Sequence, residues 1–199
     1  MIYIIRHGQT EKNKAHSLQG RSDDPLNNRG REQAKAAADW FRAAGVSFDL
    51  VYSSPLCRAV DTAKIVSGHD FVQIDYRLIE MDYGPYEGMD LSRPAPEVAV
   101  FFSDFVHNPA PKGMEQLSDL VKREGSFMED IKESSRGKTV LVSTHAIAMK
   151  GILQYLTRDP KQPWWSHYIG NCAVYKTEIE GNSYRIPKEV RIDSLLAMC

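Results

Sequence analysis

No two of the three cysteines form a CxxC pair. An odd set of Cys57, Cys172 and Cys199 supplies neither a disulfide framework nor a zinc site. Cys57 and Cys172 are expected to pack as small apolar residues, with Cys199 at the chain end, in a reduced, cytoplasmic setting. Long hydrophobic runs are missing too. No window approaches the roughly 18 apolar residues of a membrane span, and the chain enters directly on "IYII" with no basic leader, so no signal peptide is expected. Charge of one sign is also scarce. A net charge of −1 offers no footing for nucleic acid or an anionic membrane, so any anion site must come from local clustering. Internal repeats and low-complexity tracts are absent as well.

What is present is an ordinary globular balance, 42% hydrophobic and 26% charged over 199 residues, enough for one domain over 1–199 with a core of its own. "MIYII", "FDLVYSS", "DFVQIDY" and "KTVLVST" read as buried strands. Between them lie helical patterns. One runs from Arg29 to Ala44, with Asn27 as N-cap, Gly45 as stop and Gln33, Ala34, Ala37, Ala38 and Phe41 on one face. "PLCRAVDTAKIVSG" is entered at Pro55 and leaves near Gly68. "EQLSDLVKREGSFMEDIKESSRG" carries an amphipathic stripe of Leu117, Leu120, Val121, Phe127, Met128 and Ile131. "AIAMKGILQYL" follows the "VLVST" strand directly, and "NCAVYKTEIEGNSYRI" reads as a hairpin turning at Glu180-Gly181-Asn182. The alternation predicts an α/β class: a three-layer α/β/α domain on a mostly parallel sheet with a late antiparallel edge. Residues 92–113, bracketed by prolines, read as a lid-like insertion with a short helix.

Ligands of parallel α/β sheets sit beyond the carboxyl ends of the strands, and three of those ends carry one chemistry. The first strand stops on Arg6-His7, the second leads to Arg58 at a helix start, and "VLVST" stops on His145 before another helix. Guanidinium forks suit phosphate oxygens, and helix N-termini add N–H donors and a positive dipole end. One neutral imidazole could attack phosphorus while the other, protonated, stabilises the equatorial oxygens. A glutamate facing an oxyanion and partly desolvated suits the remaining task of protonating the leaving oxygen. "RLIEMDYGPYEGMD" offers Glu80 for it, with Asp82 and Glu87 in the same loop as alternatives.

"RHGQT" with Asn13 and "LQG", "DDPLNNRGREQA", "VYSSPLCRAVDTA", "LIEMDYGPYEG", "PKGMEQLSDLVKR" and "VSTHAIAMKGIL" occur in the order typical of the histidine phosphatase superfamily. The chain resembles its phosphoglycerate mutase-like first branch from residue 2 to about 153. The resemblance implies His7 as phosphorylated nucleophile, with Arg6, Arg58 and His145 completing the phosphate pocket and Glu80 as proton donor. It implies that Asn13 and the Gln19-Gly20 turn line that pocket, that Ala146 holds the helix start close to phosphate, and that neither metal nor cofactor takes part. Ala146 stands where much of the family has glycine or another small residue, and Pro85 stiffens a loop that more often carries a polar residue.

Mutases of the family resemble the chain at RHG but carry a basic loop that grips a substrate carboxylate. Met81, Asp82, Met89 and Asp90 occupy that stretch here, which favours a phosphatase acting on a small phosphorylated metabolite, with a mutase as the alternative. A non-catalytic phosphate-binding protein would be expected to have lost His7, Glu80 or His145. Phe101, Phe102, Phe105 and Val106 either bury against the sheet or face the pocket; Trp164-Trp165 pose the same choice, with a homodimer contact as a third option. His16, His69, His107 and His167 are expected at the surface, His16 with a lesser claim to touch substrate.

Overall fold

The computed structural model describes residues 1–157 and 164–192, so Cys199 and Pro163 lie outside the described residues. A six-stranded sheet runs in the order β3-β2-β4-β1-β5-β8. Four strands are parallel: β1 (Ile2–Arg6), β2 (Leu50–Ser53), β3 (Gln73–Ile74) and β4 (Val140–Thr144). β5 (Val174–Thr177) and β8 (Lys188–Val190) add the antiparallel edge.

β1 shows why such a strand reads as an unbroken apolar run: both of its faces are covered. Tyr3 and Ile5 face a cluster with Ala34, Ala37 and Phe41 of α2 (Asn28–Ala43) and Ala63 and Val66 of α3 (Cys57–Ser67). Ile2 and Ile4 face Phe127, Met128 and Ile131 of α5 (Leu117–Ile131) and Met149, Ile152 and Leu153 of α6 (Ala146–Thr157). Each fully buried side chain of this size contributes about 1.5–3 kcal/mol relative to exposure. The result is the expected three-layer α/β/α arrangement, with short α1 (Glu11–Lys14) after β1 and α4 (Pro96–Ser103) in the insertion. No helix among the described residues is long and apolar enough to cross a membrane.

The Asn27 side chain caps α2 by accepting from Gly30 N at 2.8 Å, and Gly68, at φ 72°, ends α3. β3 is much shorter than the "DFVQIDY" run suggests. It is a two-residue edge strand whose Ile74 faces solvent, and of the two residues before it Val72 is buried and Phe71 exposed. The hairpin turns where expected, at Gly181-Asn182, but it is a separate two-stranded ribbon of β6 (Ile179–Glu180) and β7 (Ser183–Tyr184), while β5 joins the main sheet.

The insertion aromatics are largely buried, though not against the sheet. Phe101 is fully buried and Phe102 and Phe105 partly so, in a satellite cluster with Leu18, Met81, Tyr83, Leu120, Ile147 and Trp165, while Val106 is exposed. Both indoles are buried within the chain. Trp164 packs edge-on against Tyr175 of the sheet, and Trp165 stacks on Phe105.

Candidate active site

Strand register assembles the site. Arg6 pairs with Thr144 across β1 and β4, so the next residues, His7 and His145, leave adjacent strand ends side by side. Their ring centroids are 5.1 Å apart. Ser53 of β2 pairs with Ser143, which brings Ser54 beside His145, and Ser54 Oγ lies 2.7 Å from His145 Nε2. Ser54 was not singled out in the sequence; only the β2–β4 register identifies it.

His7 is buried, and its Nδ1 lies 2.7 Å from the Gly8 carbonyl oxygen. A carbonyl only accepts, so Nδ1 carries the proton and Nε2 keeps its lone pair. Burial first, then Arg58 and Arg6, hold the His7 pKa well below the ordinary imidazole value. His145 is depressed in the same way, by burial and then Arg58, His7 and Arg6, so the protein's own field favours two neutral rings rather than one protonated. His145 Nδ1 is buried with no protein partner.

Gly8 explains the glycine of "RHG". A Cβ there would stand 2.3 Å from the Gly30 carbonyl oxygen of α2, and a Cβ on Gly30 would meet Gln9 O at 2.1 Å. The loop after His7 is thus pressed onto α2 backbone to backbone, and Gly8 N also donates to Thr62 Oγ1 of α3 at 3.1 Å.

Both arginines are fixed by main-chain carbonyls. Arg58, fully buried in the first turn of α3, donates from Nη1 to Ser22 O and from Nη2 to Gly20 O, each at 2.6 Å. Arg6 Nη1 donates to Ile169 O at 2.5 Å. The Nε of each is buried without a partner in the protein. Desolvation lowers both guanidinium pKa values, with Glu80 among the groups that oppose it.

Glu80 is buried at the start of α6. Its Oε1 accepts from Met81 N at 2.8 Å and Ala148 N at 2.9 Å, and its Oε2 from Ile147 N at 3.2 Å. Donors at that helix start, expected to face phosphate beside Ala146, are therefore partly taken by this carboxylate. The other loop acids are engaged elsewhere. Glu87 accepts from Gly20 N, Arg21 N and Ser22 Oγ, and Asp82 from Arg21 and Gly84 N.

Asn13 and Gln19 form an amide network with Thr10. Asn13 Nδ2 and Thr10 Oγ1 donate to Gln19 Oε1 at 3.2 and 2.7 Å, and Gln19 Nε2 donates to Asp24 Oδ2 at 3.1 Å. Asn171, which the sequence did not flag, donates to both the His7 carbonyl and Asn13 Oδ1 at 3.1 Å. These amides brace the loops around His7, while Gly20 meets Arg58 through its carbonyl and Glu87 through its N–H. His16, His69, His107 and His167 are exposed, as expected.

The family model of the histidine phosphatase superfamily (branch 1) matches residues 2–190. The chain belongs to that superfamily. A provisionally named phosphoserine phosphatase of Hydrogenobacter thermophilus is 32% identical over 90% of each chain. A broad-specificity phosphatase of Saccharomyces cerevisiae is also 32% identical, over 89% of this chain and 76% of its own. Phosphoglycerate mutases are among the relatives as well, that of Parvibaculum lavamentivorans at 27% over 97% of each chain. The structure of Entamoeba histolytica phosphoserine phosphatase in complex with 3-phosphoglyceric acid superposes with a TM-score of 0.85 over 98% of each chain, at 23% identity, a likeness of fold.

Proposed function

We propose that this histidine phosphatase is a metal-independent phosphomonoesterase that hydrolyses small phosphate esters through a phosphohistidine at His7. One observation carries the reading: the His7 Nδ1–H donates to the Gly8 carbonyl, which leaves Nε2 as an unprotonated nucleophile in a buried site flanked by Arg6 and Arg58.

The substrate phosphoryl group sits between the two guanidiniums, which neutralise its charge as a metal ion would elsewhere. His7 Nε2 attacks phosphorus in line. The P–O bond to the alcohol breaks as the P–N bond forms, and Glu80 delivers a proton to the departing oxygen. Water then attacks the phosphohistidine, its proton passes to Glu80, and inorganic phosphate leaves with His7 restored. His145 is depressed first by burial and then by Arg58, His7 and Arg6; a phosphoryl dianion offsets the charges of the two arginines and so pushes that ring toward taking a proton. Residues 92–113 form the wall on the leaving-group side, and the names of the relatives point to phosphoserine-sized esters as the class to test first. Free Cys57 and Cys172 fit a reducing, cytoplasmic setting.

The test is release of nitrophenol from p-nitrophenyl phosphate with EDTA present, for native protein and His7→Ala, alongside trapping of phosphate on the native protein in an acid-labile, alkali-stable form. Turnover that survives chelation and vanishes with His7 is expected. Activity in His7→Ala rules out the mechanism, and phosphate exchange between phosphoglycerates without release replaces the reading by a mutase.

A further inference from the structure

Residues 79–83, which carry Glu80, are neither helix nor strand. The carboxylate itself rests on Ile147 N and Ala148 N of α6, and on such a segment it keeps that position to tenths of an ångström when the chain on both sides of it is held as well. Arg123 of α5 supplies that hold. Its Nη1 donates to the carbonyl of Arg77, three residues before Glu80. Its Nε and Nη2 grip the two oxygens of Glu115 at 2.7 and 3.1 Å. Glu115 in turn takes hold of the chain two residues after Glu80: Oε2 accepts from Asp82 N at 3.2 Å, and Glu115 N donates to Asp82 O at 2.8 Å.

The adjoining backbone is locked to the same place. A Cβ on Gly84 would lie 2.1 Å from the Gly113 carbonyl oxygen, and both glycines have positive φ, 49° and 94°. Arg21, next to the Gly20 carbonyl that holds Arg58, also reaches Asp82 at 3.0 Å and Glu115 at 3.5 Å. One largely buried ion pair therefore brackets Glu80 on both sides and ties its loop to the phosphate loop.

We propose that Glu115 and Arg123 are positioning residues for proton transfer, which fix the 77–82 segment around Glu80 and set the reach of its carboxyl to the leaving oxygen. The inference rests on Glu80 as the proton donor. Its signature is dependence on the leaving group: nitrophenolate departs without a proton, whereas an alkoxide needs one.

The experiment measures kcat/KM, which ends at leaving-group departure and leaves out the phosphohistidine hydrolysis common to both esters, for p-nitrophenyl phosphate and for O-phosphoserine in the native enzyme, Glu80→Gln, Arg123→Met, Glu115→Gln and each clamp change combined with Glu80→Gln. Arg123→Met and Glu115→Gln are expected to lower kcat/KM for phosphoserine about 10- to 100-fold while that for p-nitrophenyl phosphate stays within about threefold. In the Glu80→Gln background they should cost little more, because residues acting through one group are not additive. Equal loss on both esters, or additive loss in the double variants, overturns the positioning role. If Glu80→Gln itself affects both esters equally, the proton-donor assignment fails and the clamp falls with it. If Glu80→Gln discriminates and the clamp variants do not, the clamp alone fails. Glu115→Gln preserves side-chain volume and carries the test should Arg123→Met not fold.

Discussion

On the side we propose for phosphate, His7 and His145 leave paired strands, Arg58 follows a third, and main-chain carbonyls hold Arg6 and Arg58. On the side we propose for the leaving group, Glu80 sits on irregular chain held by the Glu115–Arg123 pair, beside a satellite cluster detached from the sheet. The first half is fixed by strand register and main-chain carbonyls, the second by side-chain contacts outside the sheet. Damage to the phosphate half should therefore slow every ester alike, and damage to the other half should discriminate among them.

Arg58→Ala is expected to have the largest effect, lowering kcat/KM about 10³-fold for aryl and alkyl esters equally. It also strips the Gly20 and Ser22 carbonyls of their donors, at about 1–3 kcal/mol each where water cannot replace them. Kinetics on two esters and a thermal melt check both parts, and a loss confined to one ester class would erase the contrast between the halves. Ser54→Ala removes the hydroxyl on His145 Nε2 and should cost about tenfold in kcat, again regardless of leaving group.

Phe101→Ala probes the other half. Emptying that buried site should cost about 3–5 kcal/mol locally and speed proteolysis within residues 92–113. Vanadate inhibition, which reads the phosphate half, should change by no more than about twofold, as for independent sites. A large change in vanadate affinity would show that the satellite cluster and the phosphate pocket are one unit.

The same division explains what was legible in the chain. Arg6, His7, Arg58 and His145 follow apolar runs that announce strands, so pattern and topology alone bring them together. Ser54 and Asn171 act through register and contacts 91 and 164 residues distant, which no local spacing encodes. Glu80 was identifiable as a loop carboxyl, but its seat on the α6 start depends on three backbone donors from two elements. The length of β3 was misjudged because an edge strand needs only one covered face, and Val72 is all that "DFVQIDY" buries. The insertion aromatics bury as their composition suggests, against partners in five separate stretches of chain.

The smallest effect sought is a slope. Burial and the two arginines depress the His7 and His145 pKa values in the folded protein, while the unfolded chain titrates near the ordinary value of about 6.5. Between the folded values and about 6.5 the unfolded state binds protons that the folded state refuses, so this contribution is whole above about 6.5 and is lost as pH falls below it. Glu124, buried behind the acid loop with its pKa raised by desolvation, acts with the opposite sign: its contribution is present at low pH and lost as pH rises from about 4.3. The native curve mixes the two, and a single substitution separates them. His7→Asn removes one refused proton and leaves Glu124 untouched, so the drop in melting temperature from about pH 7.5 to about pH 5 should be smaller in His7→Asn than in the native protein. Identical drops would mean that the His7 ring charges as readily in the folded pocket as in water, and the neutral nucleophile on which the phosphate half depends would be lost.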